Sequence, residues 1–215
     1  MKEIKDKKEL MKLCSFIVMG DGGLYKTSKD IKNYRFIMNM KSENLDYIEY
    51  CKSILENITN CRLNKRKDYN TDNCNRKEQL RLESKTHPFF TILHDRIYTE
   101  KYKGLDPHAF KLFDWECLAI LFMCDGCGCY KNGYKDYSLN LKRLSYGDQV
   151  FLKKQLKEKL DLEWNINKQN QYYYLRLRKK DYSRFEEGIK PYILTSFSYK
   201  ILNEVPLNDK GDEIV

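Results

Sequence analysis

The stretch Leu118-Ala119-Ile120-Leu121-Phe122-Met123-Cys124-Asp125-Gly126 is an apolar run that stops at a carboxylate followed by glycine. Cys14-Ser15-Phe16-Ile17-Val18-Met19-Gly20-Asp21-Gly22 repeats the pattern near the start of the chain. Each reads as a buried helix whose last residue is an acid, stopped by a glycine able to take positive φ. An acid there opposes the helix dipole unless a counter-charge or metal compensates it, which marks both aspartates as candidate functional groups. Asp21 and Asp125 lie 104 residues apart, close to half of the 215-residue chain. Two similar halves, each delivering one aspartate at a helix end, are the expected organisation.

The flanking segments repeat as well. In the first half a helix from about Lys7 to Gly20 is followed by strands at Leu24–Thr27 and Tyr34–Lys41. Ser42 is placed to cap a helix over Glu43–Ile58, with Leu45, Ile48, Ile54, Leu55 and Ile58 inward. Strands at Cys61–Arg66 and Glu78–Ser84 flank a polar loop over Lys67–Arg76, and Pro88 opens a helix through about Tyr98. In the second half Asp114 caps the motif helix. Strands at Cys129–Lys131 and Tyr137–Lys142, a helix at Ser145–Leu160, strands at Leu162–Asn167 and Tyr172–Arg178 and a helix at Asp181–Tyr192 complete it. The offset drifts from 104 at the acids to 101 at Asn39 and Asn140 and 95 at Leu80 and Leu175. Duplication with small loop deletions produces such a drift. The expected boundaries are residues 1–107 and 108–215, each an α-β-β-α-β-β-α repeat.

Four antiparallel strands per half would have one face covered by helices and one left polar. The polar faces carry Arg35, Asn39, Lys41, Lys77, Gln79 and Arg81 in the first half. In the second they carry Ser138, Asn140, Lys142, Tyr172, Tyr174, Arg176 and Arg178. Such side chains hydrogen-bond base edges and phosphates. Several strands sharing them with almost no acid point to DNA. The net charge of +9, from 40 Lys+Arg against 31 Asp+Glu, agrees with a polyanionic partner.

The N-terminal Met1-Lys2-Glu3-Ile4-Lys5 lacks the apolar region of a signal peptide, and no apolar stretch approaches membrane-spanning length. The 8 cysteines are therefore expected as thiols in an intracellular, reducing compartment, with bacterial or phage-infected cytoplasm and an organelle both open. Cys124, Cys127 and Cys129 have part of a zinc or iron–sulfur spacing, but no second C-x-x-C or nearby histidine pair completes four ligands. Of the histidines His87, His94 and His108, the first two lie seven apart on one helix face and read as packing or surface residues.

The paired helix-acid-glycine motifs and the repeat resemble the LAGLIDADG homing endonucleases in their single-chain, two-motif form. Ser84-x-x-His87-Pro88 followed by Lys103-Gly104-Leu105-Asp106-Pro107 is similar to the segment leading to the second motif. Ile189-Lys190-Pro191-Tyr192-Ile193-Leu194 and Tyr199-Lys200-Ile201-Leu202 are similar to the family's C-terminal segment. Phe16 and Ile120 depart from the small residue common at the third motif position, whereas Gly20 and Cys124 keep the place before each acid small. The resemblance implies an α+β fold of two pseudosymmetric subdomains, each with a four-stranded antiparallel sheet, packed through the two motif helices. The sheets would form a saddle over the DNA major groove.

It implies Asp21 and Asp125 beside the scissile phosphates, as catalytic acids and metal ligands, with Gly20 and Cys124 completing the metal positions. Lys103 and Lys200, 97 residues apart, would polarise water or stabilise negative charge. Carboxylates that share an ion with phosphate oxygens suit Mg²⁺, with Mn²⁺ able to substitute. The expected protein is a monomeric, site-specific, metal-dependent endonuclease for intron or mobile-element homing. It would make a double-strand break in a long asymmetric duplex and would have no membrane partner. An RNA-binding maturase acting on intron RNA and a catalytically silent DNA-binding regulator are the alternatives, and retention of both acids speaks against the regulator.

Overall fold

Both halves of the computed structural model, which describes residues 3–66, 78–99, 102–131 and 134–201, follow the order α-β-β-α-β-β-α. The first half comprises α1 (Lys7–Met19), β1 (Gly23–Tyr25), β2 (Arg35–Lys41), α2 (Leu45–Leu55), β3 (Cys61–Arg66), β4 (Gln79–Ser84) and α3 (Pro88–Ile97). The second comprises α4 (Trp115–Asp125), β5 (Gly126–Lys131), β6 (Tyr134–Leu139), α5 (Tyr146–Leu160), β7 (Trp164–Gln169), β8 (Tyr172–Leu177) and α6 (Tyr182–Ile189). Each half forms a four-stranded antiparallel sheet, ordered β1-β2-β4-β3 and β5-β6-β8-β7. The expected α+β duplication is the observed one.

The chain divides into two compact units, Met1–Leu112 with Leu194–Ser196, and Phe113–Ile193 with Phe197–Val215. In the first unit, Phe36, Met38, Leu80 and Leu82 form the buried sheet face, and Leu13, Ile17, Ile48, Leu55, Phe90 and Leu93 are the buried residues of its helices. Asp46, in the first turn of α2, accepts from Ser196 N at 2.9 Å and Ser196 Oγ at 2.5 Å. In the second unit Phe185 is the hub: its ring meets Phe122 edge-on at 5.1 Å and Trp164 at 5.9 Å. Every residue of α1 from Lys12 to Met19, and of α4 from Cys117 to Met123, is buried. Helices so enclosed need the all-round apolar sequence that sets the two motifs apart.

Several local expectations give way to packing. The glycines that follow the acids do not use positive φ: Gly22 lies outside the left-handed region and Gly126 has φ −81°. They provide space instead. A Cβ on Gly22 would stand 2.5 Å from Phe36 Cε2 and 2.8 Å from the Ile17 carbonyl, and one on Gly126 would strike the Phe122 carbonyl. The two acids also differ. Asp125 ends α4, whereas α1 stops at Met19 and Asp21 is exposed in the following turn.

Ser42 is not an N-cap. It opens a 3₁₀ turn, Ser42–Asn44, and α2 starts after it without a side-chain cap. Leu45, next to that turn, is exposed, Ile58 lies past the end of α2 and is half-buried, and Tyr47 is in the core. Asp114 caps α4 by accepting from Cys117 N at 3.0 Å, and Ser145 caps α5 through a reciprocal capping box with Asp148. The closing helix is shorter than expected, because Lys190–Tyr192 is a 3₁₀ turn containing Pro191, which has no N–H for an α-helical bond.

Candidate active centres and nucleic-acid faces

The two lysines do the same thing at the two motif helices. A two-residue bridge between Tyr98 and Lys103 turns the latter back over α1. Lys103 Nζ donates to the carbonyls of Val18 at 2.9 Å, Gly20 at 2.6 Å and Gly22 at 3.1 Å. An ammonium has three N–H groups, so these bonds saturate it. Lys200, almost fully buried, donates to Met123 O at 2.7 Å and Phe122 O at 3.3 Å, with its Nζ 5.3 Å from the centre of the Phe197 ring. Cations on the last carbonyls of a helix satisfy orphan acceptors and offset the negative dipole end. Gly128 permits this: a Cβ there would collide with the Lys200 carbonyl.

Beside these braces the acids have unequal surroundings. Asp21 is exposed to solvent. Asp125 is half-buried, and its Oδ2 accepts from Arg143 Nη1 at 3.1 Å while its main-chain carbonyl accepts from Asn140 N at 2.8 Å. Arg143 Nε and Nη2 are buried and have no hydrogen-bond partner among the described residues. The sequence reading missed Arg143. Its only signal is a basic pair, Lys142-Arg143, just ahead of the Ser145 cap. Asn140 and Lys142, expected within a strand, lie beyond the end of β6 at Leu139.

On the first sheet the register sets Asn39 beside Arg81 and Arg81 beside Asn64, with Lys41 beside Gln79. Arg62 on β3 faces Glu83. Arg62 and Asn64 thus join the expected residues, a contribution of the outer strand that alternation on β2 and β4 alone did not reveal. Lys77 lies outside the described residues. A cleft of about 510 Å³ is lined by Arg35, Arg62, Lys85 and Glu83 among others.

On the second sheet Ser138, Arg176 and Asn165 form one row, and Asn167 stands beside Tyr174 and Gln169 beside Tyr172. Cys127 and Cys129 are exposed on β5, opposite Ser138 and Asp136.

Acids are interleaved with these bases, contrary to the expectation of faces almost free of carboxylates. Glu83 accepts from Arg81 Nε and lies 4.0 Å from Arg35. Asp136 accepts from Arg176 Nε at 2.7 Å, and that hydrogen bond raises the arginine's pKa further. Arg178, past the end of β8, donates to Glu163 at 2.7 Å. Glu163, bonded to Lys180 and Lys157, is held down to about 2. Each carboxylate fixes a guanidinium or ammonium that would otherwise swing through several rotamers.

Residues 17–185 match the sequence model of the LAGLIDADG DNA endonuclease family. This chain belongs to that family. Among curated proteins it is similar to the cytochrome b mRNA maturase bI2 of Saccharomyces cerevisiae, 26% identical over 208 aligned positions. That match covers 86% of the chain but 45% of the maturase, so the chain spans about half the length of this relative. Among solved structures it is similar to the homing endonuclease I-WcaI bound to its DNA recognition sequence, with TM-score 0.77 and 21% identity over 95% of this chain and 90% of that one. A second is I-DmoI in complex with its target DNA and Mn, with TM-score 0.52 and 16% identity over 85% and 93% of the two chains. At these identities the structural likeness is one of fold.

The donors of this LAGLIDADG chain suit a hard divalent ion only in part. Among the described residues no three His, Cys, Asp or Glu side chains gather closely enough to hold a metal. Each motif presents one carboxylate, and oxygen donors match Mg²⁺ when substrate phosphates supply the remainder. The Gly20 carbonyl already accepts from Lys103, so a cation on the same oxygen would face an ammonium. Cys124 is half-buried near the end of α4. The carboxylates of Asp21 and Asp125 are the donors that fit.

Proposed function

We infer that the chain is a site-specific endonuclease that uses divalent metal, Mg²⁺ first and Mn²⁺ as substitute, to break both strands of a long asymmetric DNA target. The observation that carries this reading is the repeated arrangement of acid, lysine brace and polar sheet, present once in each unit. Bound by the carboxylates and phosphate oxygens, the ion would neutralise phosphate charge and lower the pKa of an attacking water. Asp21 and Asp125 each serve one strand. Lys103 and Lys200 act as positioning residues, fixing the backbone that presents each acid. Arg143 has two unsatisfied guanidinium nitrogens, Nε and Nη2, beside Asp125, and a swing of its side chain would bring them to a phosphate oxygen. The row Asn39–Arg81–Asn64 and the row Ser138–Arg176–Asn165 read base edges from a single chain.

The double variant Asp21→Asn with Asp125→Asn tests the assignment. It should fold, bind target duplex and cut neither strand. Full double-strand cutting by that variant would refute the assigned centres.

A second reading, binding of intron RNA, is favoured by the similarity to the yeast maturase across 86% of this chain. Retention of Asp21 and Asp125 does not argue against it, since one chain can carry both activities. Gel-shift titration with transcribed intron RNA, in excess duplex competitor, tests it.

A further inference from the structure

A cavity of about 430 Å³ lies among the helices of the first unit, lined by Lys7, Lys8, Lys12, Arg96 and Lys111 with no carboxylate among its lining residues. Its walls are α1, α3 and a 3₁₀ turn over Ala109–Leu112. The turn is anchored firmly. Asp106, fully buried, accepts from Ser15 Oγ at 2.9 Å and from His108 N at 2.9 Å, and Phe110 packs edge-on against Phe16 at 5.0 Å. The groove is therefore a built feature of the helical layer and uses none of the residues assigned to the sheet face.

The charges in this groove are placed against ordinary preference. Lys7 and Lys8 occupy the first turn of α1, where the dipole disfavours cations. Lys12 is 3% exposed and has the Glu9 carboxylate at 2.9 Å, yet it stands among other bases. Arg96, at the C-terminal end of α3, is where the dipole favours it, so its contribution alone would signal nothing. Together, with the Asp6 cap and Glu9 as the acids at that end of α1, they give the groove a basic lining that complements an anion.

The rim narrows the kind of anion. Met11 and Leu112 expose apolar surface, and the His108 ring is exposed beside them. Planar and apolar side chains next to cations suit unstacked bases on a phosphate chain, which looped RNA presents and a base-paired duplex does not. A duplex lying on the sheet is stiff over about 150 base pairs and would not turn back onto the helices. We propose that this groove binds single-stranded or looped RNA, separately from the sheet faces. The proposal rests on the RNA-binding reading above and assigns it a site.

The test uses the full chain, with polyuridylate, a non-target duplex DNA and phosphatidylserine vesicles as probes. Lys8 and Arg96 are exposed and on different walls, so Lys8→Gln with Arg96→Gln should leave the thermal midpoint unchanged. Affinity for polyuridylate should fall about tenfold, and the slope of log K against log salt should become shallower by roughly 1.4, at about 0.7 for each lost single-strand contact. Duplex binding should be unaffected, whereas Arg81→Ala should weaken duplex and spare polyuridylate. If the double variant proves unstable, Lys7→Gln makes the same test on one wall.

A parent protein that does not bind polyuridylate ends both the RNA reading and this site. Undiminished polyuridylate binding by the variant removes the groove alone and leaves RNA binding standing elsewhere. Equal weakening of duplex and polyuridylate overturns the proposal in favour of a general electrostatic effect. Loss of vesicle binding with polyuridylate binding retained overturns it in favour of an anionic membrane surface.

Discussion

Arg143 holds the Asp125 carboxylate at 3.1 Å and keeps two further guanidinium nitrogens buried and unbonded among the described residues. At the 101-residue offset of the repeat, the matching place in the first unit is Ser42, which carries no charge. The two centres are therefore electrostatically unequal although the motifs that build them are alike. Arg143 restrains the Asp125 carboxylate, and nothing equivalent stands at Ser42.

Arg143→Gln should slow cutting of the strand served by Asp125 by about a hundredfold, the scale seen when one charge-stabilising donor is removed. Cutting of the other strand should persist, so supercoiled target plasmid would accumulate as the nicked form. Strand-specific end labels read this directly. Equal slowing of both strands would contradict the assignment of Arg143 to one centre.

Lys103 and Lys200 lead to a prediction about folding. Replacing Lys200 with Met removes the ammonium's bonds to the Met123 and Phe122 carbonyls at the end of α4, of which Phe122 O keeps the bond from Gly126 N. Hydrogen bonds to charged groups contribute about 2 kcal/mol, which for a chain of this size lowers the thermal midpoint by roughly 4–8 °C. Lys103→Met should behave likewise through Val18, Gly20 and Gly22. Calorimetry of the free protein checks both. An unchanged midpoint with lost cleavage would return these lysines to a purely chemical role.

The large features were legible because they depend on periodicity. The duplicated apolar runs, the strand alternation and the caps at Asp114 and Ser145 are local signals, and they became α4, the sheets and α5. What escaped notice depends on register between strands and on the packing of individual side chains. Arg62 and Asn64 reach the polar face only through pairing of β3 with β4, and no pattern within Cys61–Arg66 announces it. The acids Glu83 and Asp136 acquire a role only where the fold sets them against Arg81 and Arg176. The motif glycines serve space, not positive φ, since neighbouring Phe36 and Phe122 need the absent Cβ.

Two cysteines make stability fall at alkaline pH. Burial pushes the Cys14 thiol far above its ordinary 9.0, with nearby Cys61 adding to it. Cys61 is raised to about 12, by burial first and then by Glu56, with Lys52 opposing. Below pH 9 both thiols are protonated folded or unfolded, and their contribution is complete. Above it the unfolded chain ionises while the folded chain does not, so unfolding free energy declines as pH rises toward the folded values. Urea titrations between about pH 8 and 11 should show this slope, and it should be shallower for Cys14→Ala by up to about 1.4 kcal/mol per pH unit. An identical slope in that variant would show that other groups govern the alkaline limit.

Arg176 is the residue through which base reading can be separated from phosphate binding. Its Nε is committed to Asp136 at 2.7 Å, which restrains the fork at a position whose strand neighbours are Ser138 and Asn165. A fork held that way suits the paired acceptors of one guanine edge. Arg176→Ala should then cost about 1–3 kcal/mol on the preferred target and relax discrimination at a single position, while the salt slope changes little. Asp136→Asn keeps the arginine but removes both its anchor and a negative charge from the polar sheet face. That variant should bind unrelated DNA more tightly at low salt and discriminate less at the same position. Competition binding over targets substituted one base pair at a time, at two salt concentrations, distinguishes the outcomes. A uniform loss across all targets for Arg176→Ala, with the salt slope shallower by about 0.9, would make Arg176 a phosphate contact and its pairing with Asp136 a matter of stability alone.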